Sequence, residues 1–75
     1  MGHKGKQRLA LKVLSRNIRA IRKERKMTQE EAAFRSGIGY KRWQALEAGR
    51  SNTTLFTLCR IASVLKVSIR RLFVS

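Results

Sequence analysis

Four side chains between residues 40 and 44 concentrate the hydrogen-bonding chemistry of this chain. Tyr40 offers a hydroxyl, Lys41 an ammonium, Arg42 a planar guanidinium, and Gln44 a donor and an acceptor on one amide. None stands beside the partners that covalent or metal chemistry requires. The acidic residues are Glu24, Glu30, Glu31 and Glu47, with His3 the only histidine and Cys59 the only cysteine. They assemble no nucleophile–base pair, no metal-ligand spacing and no glycine-rich phosphate loop. The residues therefore predict no catalytic site, no metal and no cofactor. What they suit is recognition. Lysine donates to guanine O6 and N7, and glutamine pairs with the edge of adenine.

The charge balance points to the same chemistry. Eighteen lysines and arginines against four glutamates leave a net charge of +14 on 75 residues. Such an excess repels itself in a compact chain and attracts polyanions, nucleic acid foremost. An anionic membrane surface is a poorer match, because the basic residues are spread over the whole chain rather than one amphipathic face. No apolar run reaches the roughly 20 residues that span a bilayer. The chain is expected to be cytoplasmic. Cys59 has no partner for an intrachain disulfide, and its apolar helical surroundings predict a small core residue.

Short helices must position the donors. Leu11, Leu14, Ile18 and Ile21 form a helical stripe and predict a first helix over about residues 13–25. Residues 1–12, polar and basic at their start, are expected to form a mobile arm. Its Lys4, Lys6 and Arg8 either follow a minor groove or stay solvated. Thr28 and Glu31 form a capping box that opens a second helix over 29–35. Ser36 and Gly37 end it, with Gly37 free to turn left-handed, and Ile38 anchors the turn in the core. Gly39 opens a third helix over 40–48, which stops at Gly49.

On that third helix Trp43, Leu46 and Glu47 share the inward side, with Lys41, Ala45 and Ala48 opposite. Tyr40 and Gln44 flank the outward ridge on one edge. Arg42 flanks it on the other, which suits a phosphate contact. Thr53 or Thr54 caps a fourth helix carrying Leu55, Leu58, Ile61, Ala62 and Leu65, and Ser68 caps a short fifth from Ile69 to about Phe73. The prediction is an all-α, compact five-helix domain over residues 13–75.

Three stretches, in order and at consistent spacing, resemble a known family. They are Ile18-Arg19-x-x-Arg22-Lys23-x-x-x-Met27-Thr28-Gln29-Glu30-Glu31-x-Ala33, then Gly37-Ile38 with Trp43-x-x-Leu46-Glu47-x-Gly49, then Leu55-x-x-Leu58-x-x-Ile61-Ala62-x-x-Leu65-x-Val67-Ser68. Together they resemble the phage-repressor/Cro-type (xenobiotic-response-element-like) helix-turn-helix domain over about residues 14–73. The resemblance implies a five-helix fold whose second and third helices bind DNA. It implies that Tyr40, Lys41, Gln44 and Ala45 face base edges. Gln29, at a helix start that also favours anions, would contact phosphate and brace the third helix. Arg50, Ser51 and Asn52 would contact phosphates, and Arg22 and Glu47 would form a mostly buried salt bridge.

The chain departs from the family pattern at four positions. Ala32 stands where leucine is usual and Trp43 where a mid-sized aliphatic is usual, a pair of changes that offset each other in volume. Gly39 lacks the usual hydroxyl, and Ala45 offers a base only a methyl contact to thymine.

The resulting expectation is a sequence-specific regulator of double-stranded DNA, acting as a homodimer on a palindromic operator. Leu72, Phe73 and Val74 are the expected dimer surface. Two other readings stay open. One is an antitoxin-type protein with a toxin or co-regulator as protein partner. The other is a general basic nucleic-acid-binding protein.

Overall fold

The structure, a computed structural model, describes residues 2–74, excepting the side chains of residues 2–4, 6 and 7. Four α-helices and one 3-10 helix follow in order: α1 (Gly2–Glu24), α2 (Gln29–Arg35), α3 (Tyr40–Glu47), α4 (Leu55–Leu65) and the 3-10 helix Ile69–Phe73. No strand occurs among the described residues. The expected fifth helix is thus a five-residue 3-10 turn. Ser68 sets its start without a side-chain cap, and Val74 leaves it in extended backbone.

The first helix starts at Gly2 instead of near residue 13. Residues 2–12 contain lysine, glutamine, arginine, leucine and alanine and no proline, so nothing local stops the helix from extending. Leu14 is its first buried side chain among the described residues. Arg8 is exposed on this stretch, while Met1 and the side chains of Lys4 and Lys6 lie outside the described residues.

Local signals explain the other boundaries. The Thr28 hydroxyl accepts from the Glu31 amide at 3.0 Å. The Glu31 carboxylate does not make the return bond expected of a capping box. It lies 3.7 Å from Arg35, one turn on, as an exposed pair. Thr54 caps α4 by accepting from the Thr57 amide at 3.1 Å. Lys66 ends α4 in the left-handed conformation at φ 60°. Arg25 reaches across to that end and donates from Nε to the Leu65 carbonyl at 2.8 Å.

One core joins all the elements. Leu14, Ile18 and Ile21 of α1 cluster with Ala32 and Ala33 of α2, Trp43 and Leu46 of α3, the inner face of α4, and Leu72. Ala32 and Trp43 are both fully buried, as the volume exchange expected of them requires. Asn17, a polar residue within the apolar stripe, closes the chain end. Its Nδ2 donates to the Leu72 carbonyl at 2.9 Å and to the Val74 carbonyl at 2.7 Å.

Three apolar expectations fail. Leu55 is exposed, because the first turn of α4 stands at the rim of the core. Cys59 is exposed rather than a core residue, one position outside the Leu58–Ile61–Ala62–Leu65 face. Leu72 is fully buried, so it lies under the surface where a dimer contact was expected, with Phe73 and Val74 half exposed.

Candidate nucleic-acid interface

The turn between α2 and α3 is held from both sides. Gly37 takes φ +67°, and a Cβ there would lie 1.8 Å from Nη2 of Arg60, so the guanidinium packs directly on the bare backbone. Arg60 in turn lies over the Phe56 ring, 5.7 Å from its centroid. Ile38 is buried, and its amide donates to the Ala33 carbonyl at 2.9 Å. These contacts set the angle at which α3 leaves α2.

Beneath α3 lies a buried polar hub centred on Glu47. Arg22 approaches it in a fork, Nε to Oε2 at 2.5 Å and Nη2 to Oε1 at 3.1 Å. The remaining guanidinium nitrogen, Nη1, donates to the Met27 carbonyl at 2.8 Å. The Trp43 indole donates to Oε2 at 2.6 Å, and the Gln29 amide donates to Oε1 at 2.9 Å. Each Glu47 oxygen therefore accepts two bonds, and the hub ties α1, α2 and α3 to one carboxylate. Burial alone pushes the Glu47 carboxyl up. Hydrogen bonds from Arg22, Gln29 and Trp43, with the charge of Arg22, outweigh that and hold it below its ordinary value of 4.5.

Around this hub the outward side of α3 is open. Tyr40, Lys41 and Arg42 are exposed, Gln44 and Ala45 are half-buried, and Ala48 is exposed just past the helix end. Gly39 caps the start of α3 without a side-chain hydrogen bond. A helix start with free amides favours an anion. Gln29 is half-buried, and one amide hydrogen is committed to Glu47, which leaves the other for an outside acceptor. In the following loop Arg50 and Asn52 are exposed. The Ser51 hydroxyl donates to the Asn52 carbonyl at 3.1 Å and is so far occupied within the loop.

Sequence reasoning missed three features here. Trp43 and Glu47 are four residues apart on one helix, and a buried indole N–H wants an acceptor. That signal was legible. For the Gln29–Glu47 bond, the resemblance implied a brace from Gln29 but not its acceptor, which depends on how α2 and α3 pack. A hollow beside Glu47, walled by Arg19 and Lys23 of α1 on one side and Gln44 and Ala48 on the other, also depends on packing. Among the described residues, no group of histidine, cysteine, aspartate or glutamate could hold a metal ion. No helix of the structure is long and apolar enough to cross a membrane.

Two short helices joined by a glycine turn, the second braced from beneath and open above, define a helix-turn-helix DNA-binding domain. The chain belongs to the helix-turn-helix (HTH_3, Cro/C1-type) family, whose profile matches residues 18–72. It is 40% identical over 57 residues, 76% of this chain and 74% of the relative, to y4dJ, described as an uncharacterised HTH-type transcriptional regulator of Sinorhizobium fredii (strain NBRC 101917 / NGR234). The restriction-modification controller protein C.AhdI of Aeromonas hydrophila superposes with a TM-score of 0.81 at 28% identity, covering 84% of this chain and 96% of that one. A hypothetical transcription factor, NHTF, from Neisseria superposes with a TM-score of 0.83 at 29% identity, covering 87% of this chain and 75% of that one. Family and fold make this a DNA-binding domain of transcription regulation.

Proposed function

We propose that this chain is a sequence-specific regulator that binds double-stranded DNA in the cytoplasm as a twofold homodimer on a palindromic operator. Residues 13–75 are the DNA-binding domain, and residues 1–12 are its basic arm. Tyr40, Lys41, Gln44 and Ala45 meet base edges. Gln29, Arg42, Arg50, Ser51 and Asn52 meet phosphates. Arg22 and Glu47 are structural.

One observation carries the reading. The outward ridge of α3 has no side-chain hydrogen bond of its own among the described residues, while the inward side is locked to Glu47. A ridge that is rigid beneath and unpaired above suits the donor and acceptor pattern of a major groove. The twofold assembly follows from the size of that ridge. One α3 spans a few base pairs, and two related by a dyad read half-sites about one DNA turn, ~34–36 Å, apart. A salt bridge in the hub and no partner for the ridge also favour recognition over structure as the role of Lys41 and Gln44.

Selection of bound sites from random duplex DNA tests the proposal. The expected result is an inverted repeat with half-site centres about 10 base pairs apart. Enrichment of a single unrepeated site would remove the dimer and keep sequence reading. No enrichment over random competitor, with equal affinity for duplex RNA, would replace the proposal with general nucleic-acid binding.

A further inference from the structure

Lys12, Arg16, Arg19 and Lys23 are exposed on α1 and recur at spacings of 4, 3 and 4. On a helix of 3.6 residues per turn that puts them within about 60° of arc and spreads them over ~16 Å. Among the described residues the ion pairs are Arg22–Glu47 and Glu31–Arg35, so none of these four cations meets a carboxylate. They form a single unneutralised ridge.

The ridge borders the open side of α3. The hollow that holds Arg19 and Lys23 faces Gln44 and Ala48. A second hollow holds Lys12 and Arg16 and shares Arg19, Glu47 and Ala48 with the first. The two therefore join into one groove, with the basic ridge as one wall and the C-terminal half of α3 as the other. Its position is fixed. Gly49 turns left-handed at φ +74°, and a Cβ there would lie 3.4 Å from the Ser15 hydroxyl and 3.9 Å from the Leu11 carbonyl. The backbone of the loop after α3 thus rests on the same stretch of α1 that carries Lys12 and Arg16. Lys12 and Arg16 also precede the segment matched by the family profile, residues 18–72.

We propose that this ridge is a second backbone-binding track, which holds one sugar-phosphate strand of duplex DNA along α1 while α3 occupies the adjacent major groove. Four cations in a line, without a carboxylate partner and beside α3, suit a row of phosphates in charge. The small side chain of Ala48 leaves the groove open for that strand. The proposal rests on the reading of α3 as the groove-entering helix. It adds that affinity is supplied largely by a face that touches no base.

The test uses the full chain and its selected duplex. Lys12→Gln, Arg16→Gln and Arg19→Gln are combined in one variant. A charge-matched control combines Lys66→Gln, Arg70→Gln and Arg71→Gln, all exposed and none lining either hollow. Circular dichroism confirms that both remain folded. Each phosphate neutralised contributes ~0.9 to the slope of log affinity against log salt, so the ridge variant should lose about 2–3 from that slope. Its selected sequence should stay the same. The control should lose less than about one. Equal losses in the two variants, or an unchanged slope in the first, overturn the track. Loss confined to duplex RNA overturns it in favour of an RNA surface. If the parent chain prefers no sequence but the ridge variant still loses slope on random duplex, the sequence-reading proposal fails and the track stands.

Discussion

Removing the Glu47 carboxylate should cost more than any other single side chain at the surface of contact between α1, α2 and α3. Glu47→Ala leaves the Arg22 guanidinium, 8% exposed, with one carbonyl partner in place of a fork. A buried charge stripped of its partner costs ~3–5 kcal/mol. At ~0.05–0.15 kcal/mol per residue, a 75-residue chain has about 4–11 kcal/mol in total. Each kcal/mol lowers the midpoint of a domain this size by ~4–8 °C, so the variant should melt at least about 12 °C below the parent.

Thermal unfolding followed by circular dichroism at low protein concentration measures it. The double variant Arg22→Met with Glu47→Gln separates charge from packing. It removes both charges, and the new amide oxygen still accepts from Trp43. It should melt at least about 8 °C above Glu47→Ala, since a buried ion pair exchanged for uncharged groups of similar volume is often nearly neutral. A cost under about 4 °C for Glu47→Ala, or a double variant that melts no higher than the single one, would refute the cost assigned to the stranded guanidinium.

The depressed Glu47 carboxyl also sets a pH dependence. A carboxylate held lower in the folded than in the unfolded state contributes stability above the unfolded value and loses it as pH falls through the folded one. Stability should thus be flat at neutral pH and fall below about 4.5, and the double variant above should show a shallower fall. Gly37→Ala should destabilise by ~1–2 kcal/mol from the left-handed backbone alone, with displacement of Arg60 added to it. A midpoint within 2 °C of the parent would contradict this. Asn17→Leu removes the donor to two carbonyls, at a cost of ~1–3 kcal/mol. Hydrogen exchange at residues 69–74 should then speed up more than exchange in α3. Lys41→Ala should change the selected base at one operator position by ~1–3 kcal/mol of discrimination, while the melting midpoint stays put, because Lys41 is exposed and its side chain bonds to none of the other described residues.

Periodicity and caps carried most of the fold. The bounds of α2 and the starts of α3 and α4 follow from Thr28, Gly39 and Thr54, whose local chemistry acts on the next few residues. The start of α1 differs because an apolar stripe marks only the part of a helix that packs, and helix propensity needs no stripe to continue. Cys59 and Leu55 were misread because an apolar run does not say which of its members sit at the rim. At the site, Arg22 and Glu47 could be paired only through the family resemblance, since 25 residues separate them. The basic ridge of α1 had no place in the sequence reading, because only the fold sets Lys12, Arg16, Arg19 and Lys23 beside α3.

The two proposed surfaces would divide the work of recognition unequally. Alone, α3 is eight residues long and lacks a side-chain cap, far below the ~12–15 residues at which isolated helices begin to hold in water. Its shape is therefore borrowed from the hub at Glu47. The hub's bonds run to the inward side, so substitutions at Lys41, Gln44 or Ala45 should alter the sequence reading proposed for them without loosening α3. The ridge on α1 is a separate element joined to α3 through Gly49 and the same hub. Charge can accumulate there without entering the reading surface. A net charge of +14 is consequently compatible with sequence preference if the two proposals hold: nonspecific attraction and base reading would then reside on different helices, tied to one another through the buried Glu47 carboxylate.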